Sequence, residues 1–302
     1  MRCTLLPLPD HQVSFLVDGA ERLRWHFGPS YPRPFFYPLI GPSSGLSLTW
    51  MGHPGAPNHD HHRSIWFAHN SVQGVDFWSD KLKLPSRIRQ KEWLAYQDGD
   101  AEAVMAVRLA WNDGHDPKDL LEQDLFAALI PGPDGETFLE LQTSFRPMAA
   151  QLEFGKTNFG FLAVRVAKAI SGFFGGGTLT NSHGDVGEPA LFGKTAIWMD
   201  YSGTQPGDKK EGITFFDHPT NPGHPTAWHV REDGWMGAST CLATPRTTTQ
   251  NEPLTLRYLL HAHQGMLNAK REDEVFAAFA KRSPLSLLKA PAKHTAYAVR
   301  RI

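Results

Sequence analysis

Five of the fifteen histidines, His53, His59, His61, His62 and His69, fall within seventeen residues of a 302-residue chain. The densest part is His59-Asp60-His61-His62-Arg63. Imidazoles held close together support two kinds of chemistry. Neutral His ligates transition metals, and near neutral pH it can both give and take a proton. As metal ligands the candidates are His59, His61 and His62, and the cofactor they would take is a divalent transition metal. As acid–base groups the candidates are His59 and His62. If a strand already begins here, His61 and His62 point to opposite faces, so the cluster needs partners from elsewhere.

Several segments could supply them. Gly74-Val75-Asp76-Phe77-Trp78 sets a carboxylate beside aromatics. That suits a sugar, whose apolar ring face stacks on an aromatic while its hydroxyls seek a carboxylate. Asp76 and Trp78 are therefore candidates, with Trp66 on the preceding strand. Asn181-Ser182-His183 follows Gly175-Gly176-Gly177, which lacks the Gly-Lys-Ser/Thr ending and the helix of a phosphate loop. Asp217 could orient a histidine, act as a base or cap a turn. His229 and Arg231 share one face of their strand. Arg165, amid apolar neighbours, is either a paired buried cation or a binding residue. His261 and His263 share a face with Thr255 and Arg257, opposite Leu254, Leu256, Tyr258 and Leu260. In a sheet that curves inward, this polar face would line a cleft.

The elements that must position these residues are strands. Thr137–Phe145, Met105–Trp111 and Leu254–Leu260 alternate with period two. Further strands are expected over Val13–Asp18, Arg22–Phe27, Leu46–Trp50, Ser64–His69, Ser86–Tyr96, Asp119–Ile130, Gly160–Val166, Thr195–Tyr201, Ile213–Phe216 and Ala227–Arg231. Asp18-Gly19, Asn112-Asp113-Gly114 and Pro133-Asp134-Gly135 mark turns between them. One short C-terminal helix is expected over Arg271–Lys281, where Val275, Phe276 and Phe279 form a stripe. Strands that follow one another without helices argue for antiparallel pairing. The expected fold is all-β, a large antiparallel two-sheet sandwich forming a single domain over residues 1–302.

Composition narrows the function classes. Net charge is −1, and no run of like charge suggests binding to nucleic acid or to an anionic membrane. No apolar run approaches the ~20 residues that span a bilayer. Met1-Arg2-Cys3-Thr4-Leu5-Leu6-Pro7 lacks the apolar core of a signal peptide, and two cysteines cannot build a disulfide framework. A cytoplasmic location is the expectation.

Six segments in order, Arg33-Pro34-Phe35-Phe36-Tyr37-Pro38, Asn58-His59-Asp60-His61-His62-Arg63, Gly74–Trp78, Phe192-Gly193-Lys194, Trp198–Gly203 and Asp217-His218-Pro219, resemble a bacterial family labelled PmoA. The resemblance runs roughly from Arg33 to His263. The label names a methane oxygenase whose membrane subunit is built from transmembrane helices, which this chain lacks. Members of the family look like the β-supersandwich of aldose-1-epimerases. The resemblance thus implies a sugar acted on in a concave sheet by a His acid and a carboxylate base.

Three readings follow. The first is a carbohydrate-active enzyme, an epimerase or mutarotase, or a lyase or hydrolase. His59, His62, His183 or His261 would supply its acid–base groups, Asp217 or Asp76 the carboxylate, and Trp66 or Trp78 the stacking face. Arg165, Asn181, His229, Arg231 and His263 would complete substrate binding. The second is a His-ligated metal-dependent, oxidative enzyme. The third is a non-catalytic sugar-binding protein.

Overall fold

The computed structural model describes residues 2–52, 59–80, 86–290 and 293–302. His53, Pro54, Gly55, Pro57 and Asn58 of the histidine-rich stretch lie outside the described residues.

The period-two runs form two eight-stranded antiparallel sheets. The first runs β1 (Cys3–Leu8), β2 (Gln12–Val17), β3 (Ala20–His26), β4 (Phe35–Leu39), β5 (Ile65–His69), β11 (Gly160–Arg165), β16 (Trp235–Ala238), β15 (Trp228–Arg231). The second runs β12 (Thr178–Asn181), β13 (Trp198–Gln205), β14 (Lys209–Asp217), β18 (Leu254–Gln264), β9 (Thr137–Pro147), β8 (Leu121–Pro131), β7 (Ala103–Asn112), β6 (Arg87–Gln97). Two small pairs, β10 (Gln151–Phe154) with β17 (Arg246–Thr249) and β19 (Leu285–Lys289) with β20 (Tyr297–Arg301), complete the strands. Among the described residues the α-helices are α3 (Ala269–Ala280) and two single turns, α1 (Gly172–Gly175) and α2 (Glu188–Leu191).

Alternation decides which side chains meet between the sheets. Phe15, Phe67, Leu162 and Met236 of the first sheet and Leu141, Phe215, Leu256 and Tyr258 of the second belong to one buried apolar cluster. Their sequence neighbours point outward on the two far faces of the sandwich. The expected strand over Leu46–Trp50 is instead an extended segment making isolated bridges, Ser47 with Ile40 and Thr49 with Val166.

Each outer face has its own use. The face of β18 that carries His261 and His263 does not line a cleft, because α3 covers it. The stripe of α3 needs an apolar floor, and Leu259, between Arg257 and His261, supplies it together with Trp198 and Phe216. Phe279 packs into that cluster with Val275 and Phe276. The polar residues trapped beside it pair with one another. His261 lies between Glu272 on the helix (2.9 Å) and Glu136 (3.2 Å), and His263 Nε2 donates to Asp200 (2.9 Å). Arg257 and Arg282 reach Glu140, each at 3.1 Å.

At one edge of the sandwich the turn after β6 joins the sheets. Cys3 and Gly99 exchange backbone hydrogen bonds of 2.8 and 3.0 Å. Leu5 N–H donates to Asp98 (2.9 Å), and the Tyr96 hydroxyl donates to the Leu5 carbonyl (2.5 Å). Among the described residues no helix is long and apolar enough to cross a membrane.

Candidate functional site

The outer face of the first sheet is aromatic. Strand parity turns Trp66, Ala163, Gly237 and His229 outward, and the registers set them side by side in one row across β5, β11, β16 and β15. The two middle positions are small, which leaves a trough. Trp235, from the next row, lies across it, and a Cβ built on Gly237 would sit 2.9 Å from Trp235 Cζ2. Gly237→Ala should therefore tilt the indole, costing about 1–3 kcal/mol and shifting the tryptophan emission. Unchanged emission and an unchanged urea midpoint would show that the trough tolerates a methyl group.

Two loops roof the trough. In the first, residues 59–62 form a turn closed by His62 N–H donating to His59 C=O (3.0 Å). A turn does not alternate its side chains as a strand does. The His59, His61 and His62 rings consequently gather, with centroids 4.5 to 5.9 Å apart. The opposed directions expected for His61 and His62 are corrected here. The strand begins only at Ile65, because Ser64 takes a left-handed conformation (φ 57°). That is an uncommon state for a residue other than glycine. Ser64 is fully buried and bonds Thr49 through its hydroxyl (2.7 Å). The second loop is shaped by Asp76, whose Oδ1 accepts from the N–H groups of Trp78 (2.6 Å) and Ser79 (3.0 Å).

One arginine ties the loops together. Arg33, 2% exposed, donates to the carbonyls of His61, Phe77, Trp78 and Ser79 and to Asp80 (2.9 Å). Arg63 reaches the other oxygen of Asp80. Burial raises the Asp80 pKa, but the two guanidiniums outweigh it and hold it below the ordinary value.

Between trough and roof lies a cavity of about 300 Å³. Its walls include the three clustered histidines, Trp78, Trp235, Phe159 and His229, with Asn70, Ser79, Arg231 and Asp233 as polar lining. The His62 ring stacks near-parallel on Trp66 (5.5 Å) and Trp235 (5.8 Å). His229 meets Trp235 edge to face at 3.9 Å. Its Nδ1–H donates to the Asn158 carbonyl (3.0 Å), which fixes the tautomer and leaves the lone pair on Nε2. Burial pushes its pKa down to about 3, so the ring is neutral at physiological pH.

Four buried polar atoms in this cluster have no hydrogen-bond partner among the described residues: Nε1 of Trp66, Trp78 and Trp235, and Nε2 of His229. Such atoms cost about 1–3 kcal/mol each, and four of them gather beside this one cavity.

Of the residues singled out from the sequence, the fold brings together His59, His61, His62, Trp66, Trp78, His229 and Arg231. Asp76 and Arg165 stand just behind them, the first shaping the roof and the second pairing with Asp233 (3.0 Å). The remainder are elsewhere. Asn181 organises its own turn by accepting from His183 N–H and Asp185 N–H, and exposed His183 rests on the Thr195 carbonyl (3.2 Å). Asp217 is a buried turn carboxylate that accepts from Asn221 and Thr226 N–H and pairs with His224. His261 and His263 lie on the far face of the other sheet, so of the distant partners offered for the His59–Arg63 cluster, His183, Asp217, His229 and the His261/His263 pair, His229 alone joins it.

Asn70, Ser79, Phe159, Asp233 and Trp235 are site residues absent from the sequence reading. A signal for two of them exists. Asp233-Gly234 is a hairpin dipeptide, and the Arg231–Trp235 pairing puts Trp235 on the face of Arg231 and His229. Among the described residues, no group of three or more His, Cys, Asp or Glu side chains could hold a metal ion.

The sequence matches the profile of a family of unknown function (DUF6807) over residues 12–277, and the chain belongs to that family. No curated protein matches it.

Proposed function

We propose that this family member is a carbohydrate-active protein, an enzyme acting on a sugar or sugar derivative by histidine acid–base chemistry in the cavity above the first sheet. The observation that carries the reading is the composition of the cavity wall. Aromatic side chains and groups that bind hydroxyls line the same space, the mixture a pyranose favours. Trp78, Trp235 and Phe159 supply apolar wall, and Asn70, Ser79 and Asp233 supply groups for hydroxyls.

Roles divide by protonation. A group that transfers a proton works best with a pKa near the working pH. His229, neutral and weakly basic, is unsuited to proton transfer, which falls to the histidines of the 59–62 turn that line the same cavity. Asp233, held by Arg165, takes the place as partner carboxylate that Asp217 is too remote to fill. Kinship with mutarotase-like supersandwich proteins is part of the same proposal, and that kinship would rank sugar chemistry above a scaffold role.

Saturation-transfer NMR against aldoses, keto-sugars and uronic acids tests the proposal. At least one sugar should receive saturation at its ring C–H protons, and Trp78→Ala should abolish the transfer while the far-ultraviolet circular dichroism is retained. Silence from every sugar would overturn the reading.

A further inference from the structure

A second cavity, of about 290 Å³, adjoins the first, and both are lined by Arg231 and Asp233. Its other walls are Phe173, Phe174, Glu188 and Glu232. Phe173 is 74% exposed, the most solvent-accessible large apolar side chain among the described residues. It is nevertheless held on a firm mount. Its N–H donates to the Glu232 carbonyl (2.8 Å), and Ser171 caps the single turn α1 by accepting from Phe174 N–H (3.3 Å).

The triple glycine completes the mount. A Cβ on Gly175 would lie 2.0 Å from the Ala169 carbonyl oxygen, and one on Gly177 would lie 1.9 Å from that of Ile170. These glycines therefore serve close packing of the loop. Between the cavities Arg231 pairs with Glu188 (2.5 Å) and lies over the Phe192 ring (4.9 Å), while Glu188 also accepts from Glu232 N–H (2.8 Å).

We propose that this second cavity is a subsite for the next unit of a glycoside, so that the substrate class is an oligosaccharide of at least two pyranose units. The inference rests on the sugar reading of the first cavity. An exposed aromatic whose backbone is fixed at the rim of a sugar site is a stacking platform. Glu188, Glu232 and Asp233 supply acceptors for hydroxyl hydrogen bonds, and their charge is balanced by Arg231 on Glu188, Arg165 on Asp233 and Lys168 beside the Phe174 ring. The second unit is a polyhydroxylated ring lying on Phe173.

Titration calorimetry with glucose, galactose, mannose and xylose, and with cellobiose, maltose, lactose, mannobiose and xylobiose, tests the subsite. At least one disaccharide should bind about tenfold tighter than its component monosaccharide. Phe173→Ala should erase that gain and leave monosaccharide affinity unchanged; Phe173→Tyr should keep it. Monosaccharide binding with no gain from a second ring, or equal weakening of both ligands by Phe173→Ala, would overturn the subsite alone. Binding of no sugar would overturn the subsite together with the reading beneath it.

Discussion

An Arg33→Met protein should lose about 3–5 kcal/mol of stability, the range for breaking a buried charge pair from one side, and with it all sugar binding. Burial pulls the Arg33 pKa down to about 10, against the raising effect of Asp80, so the group stays charged at neutral pH. Its five acceptors lie on both roof loops, and four are backbone carbonyls. Methionine fills the volume but satisfies none of them. The loops would then part, carrying Trp78 and the clustered imidazoles away from the trough. Arg33→Lys keeps the charge but not the fork of donors, and should recover only part of the loss. Urea unfolding and saturation-transfer NMR on the same samples provide the check. A loss below about 1 kcal/mol with binding intact would mean the loops hold their positions without the clamp.

The second large effect is acid instability that begins unusually high. His69, His218 and His229 are buried, and burial is the main cause that takes their pKa values to about 4, 4 and 3. For His218 the Arg257 guanidinium adds to it, donating to Nε2 at 3.0 Å. These folded-state values lie below the ordinary 6.5. As pH falls through 6.5 the unfolded chain therefore takes up protons that the folded chain refuses. Stability is full above 6.5 and drains until the folded rings titrate, at about 4 for His69 and His218 and about 3 for His229.

Three such rings give a slope of about 2–4 kcal/mol per pH unit between pH 6 and 4.5. A second phase follows as carboxylates are forced to protonate. Burial raises the pKa of Glu136, but His261, Arg271 and the Gln264 N–H outweigh it and hold it to about 2, so its contribution is lost from about pH 4.5 downward. His263 works in the opposite sense. Its pKa is raised because Asp200 overcomes burial, so its contribution is complete below 6.5 and fades as pH rises through the folded value. Urea midpoints from pH 8 to 4 measure the balance, and His229→Gln should remove about 1.4 kcal/mol per pH unit. A flat profile between pH 7 and 5 would refute the assignment.

The contrast between Leu256 and His261 shows how far the sequence could be read. Both were correctly sorted onto faces by period two, which is local information and sufficed for the all-β sandwich. What covers each face is not local. The outward side of β18 could have met water, a ligand or a helix, and Leu259 among its polar residues was the mark of a helix. His61 and His62 failed for the opposite reason. Parity does not govern residues that have not yet entered the strand, and nothing around Ser64 announces a left-handed turn. The row Trp66–Ala163–Gly237–His229 depends on β5 pairing with a strand that begins more than ninety residues later. His229 was thus legible as a candidate, but its meeting with Trp66 and Trp235 was not.

The junction between β1 and the turn after β6 bears on how the protein behaves when crowded. An open sheet edge invites another chain to add a strand, and outward-facing N–H groups are the invitation. Along β1 those groups belong to Cys3, Leu5 and Pro7. Gly99 occupies the first, Asp98 occupies the second, and proline has none to give. The first sheet therefore ends without a free donor on that border, so a neighbouring molecule finds no template there for fibrous growth.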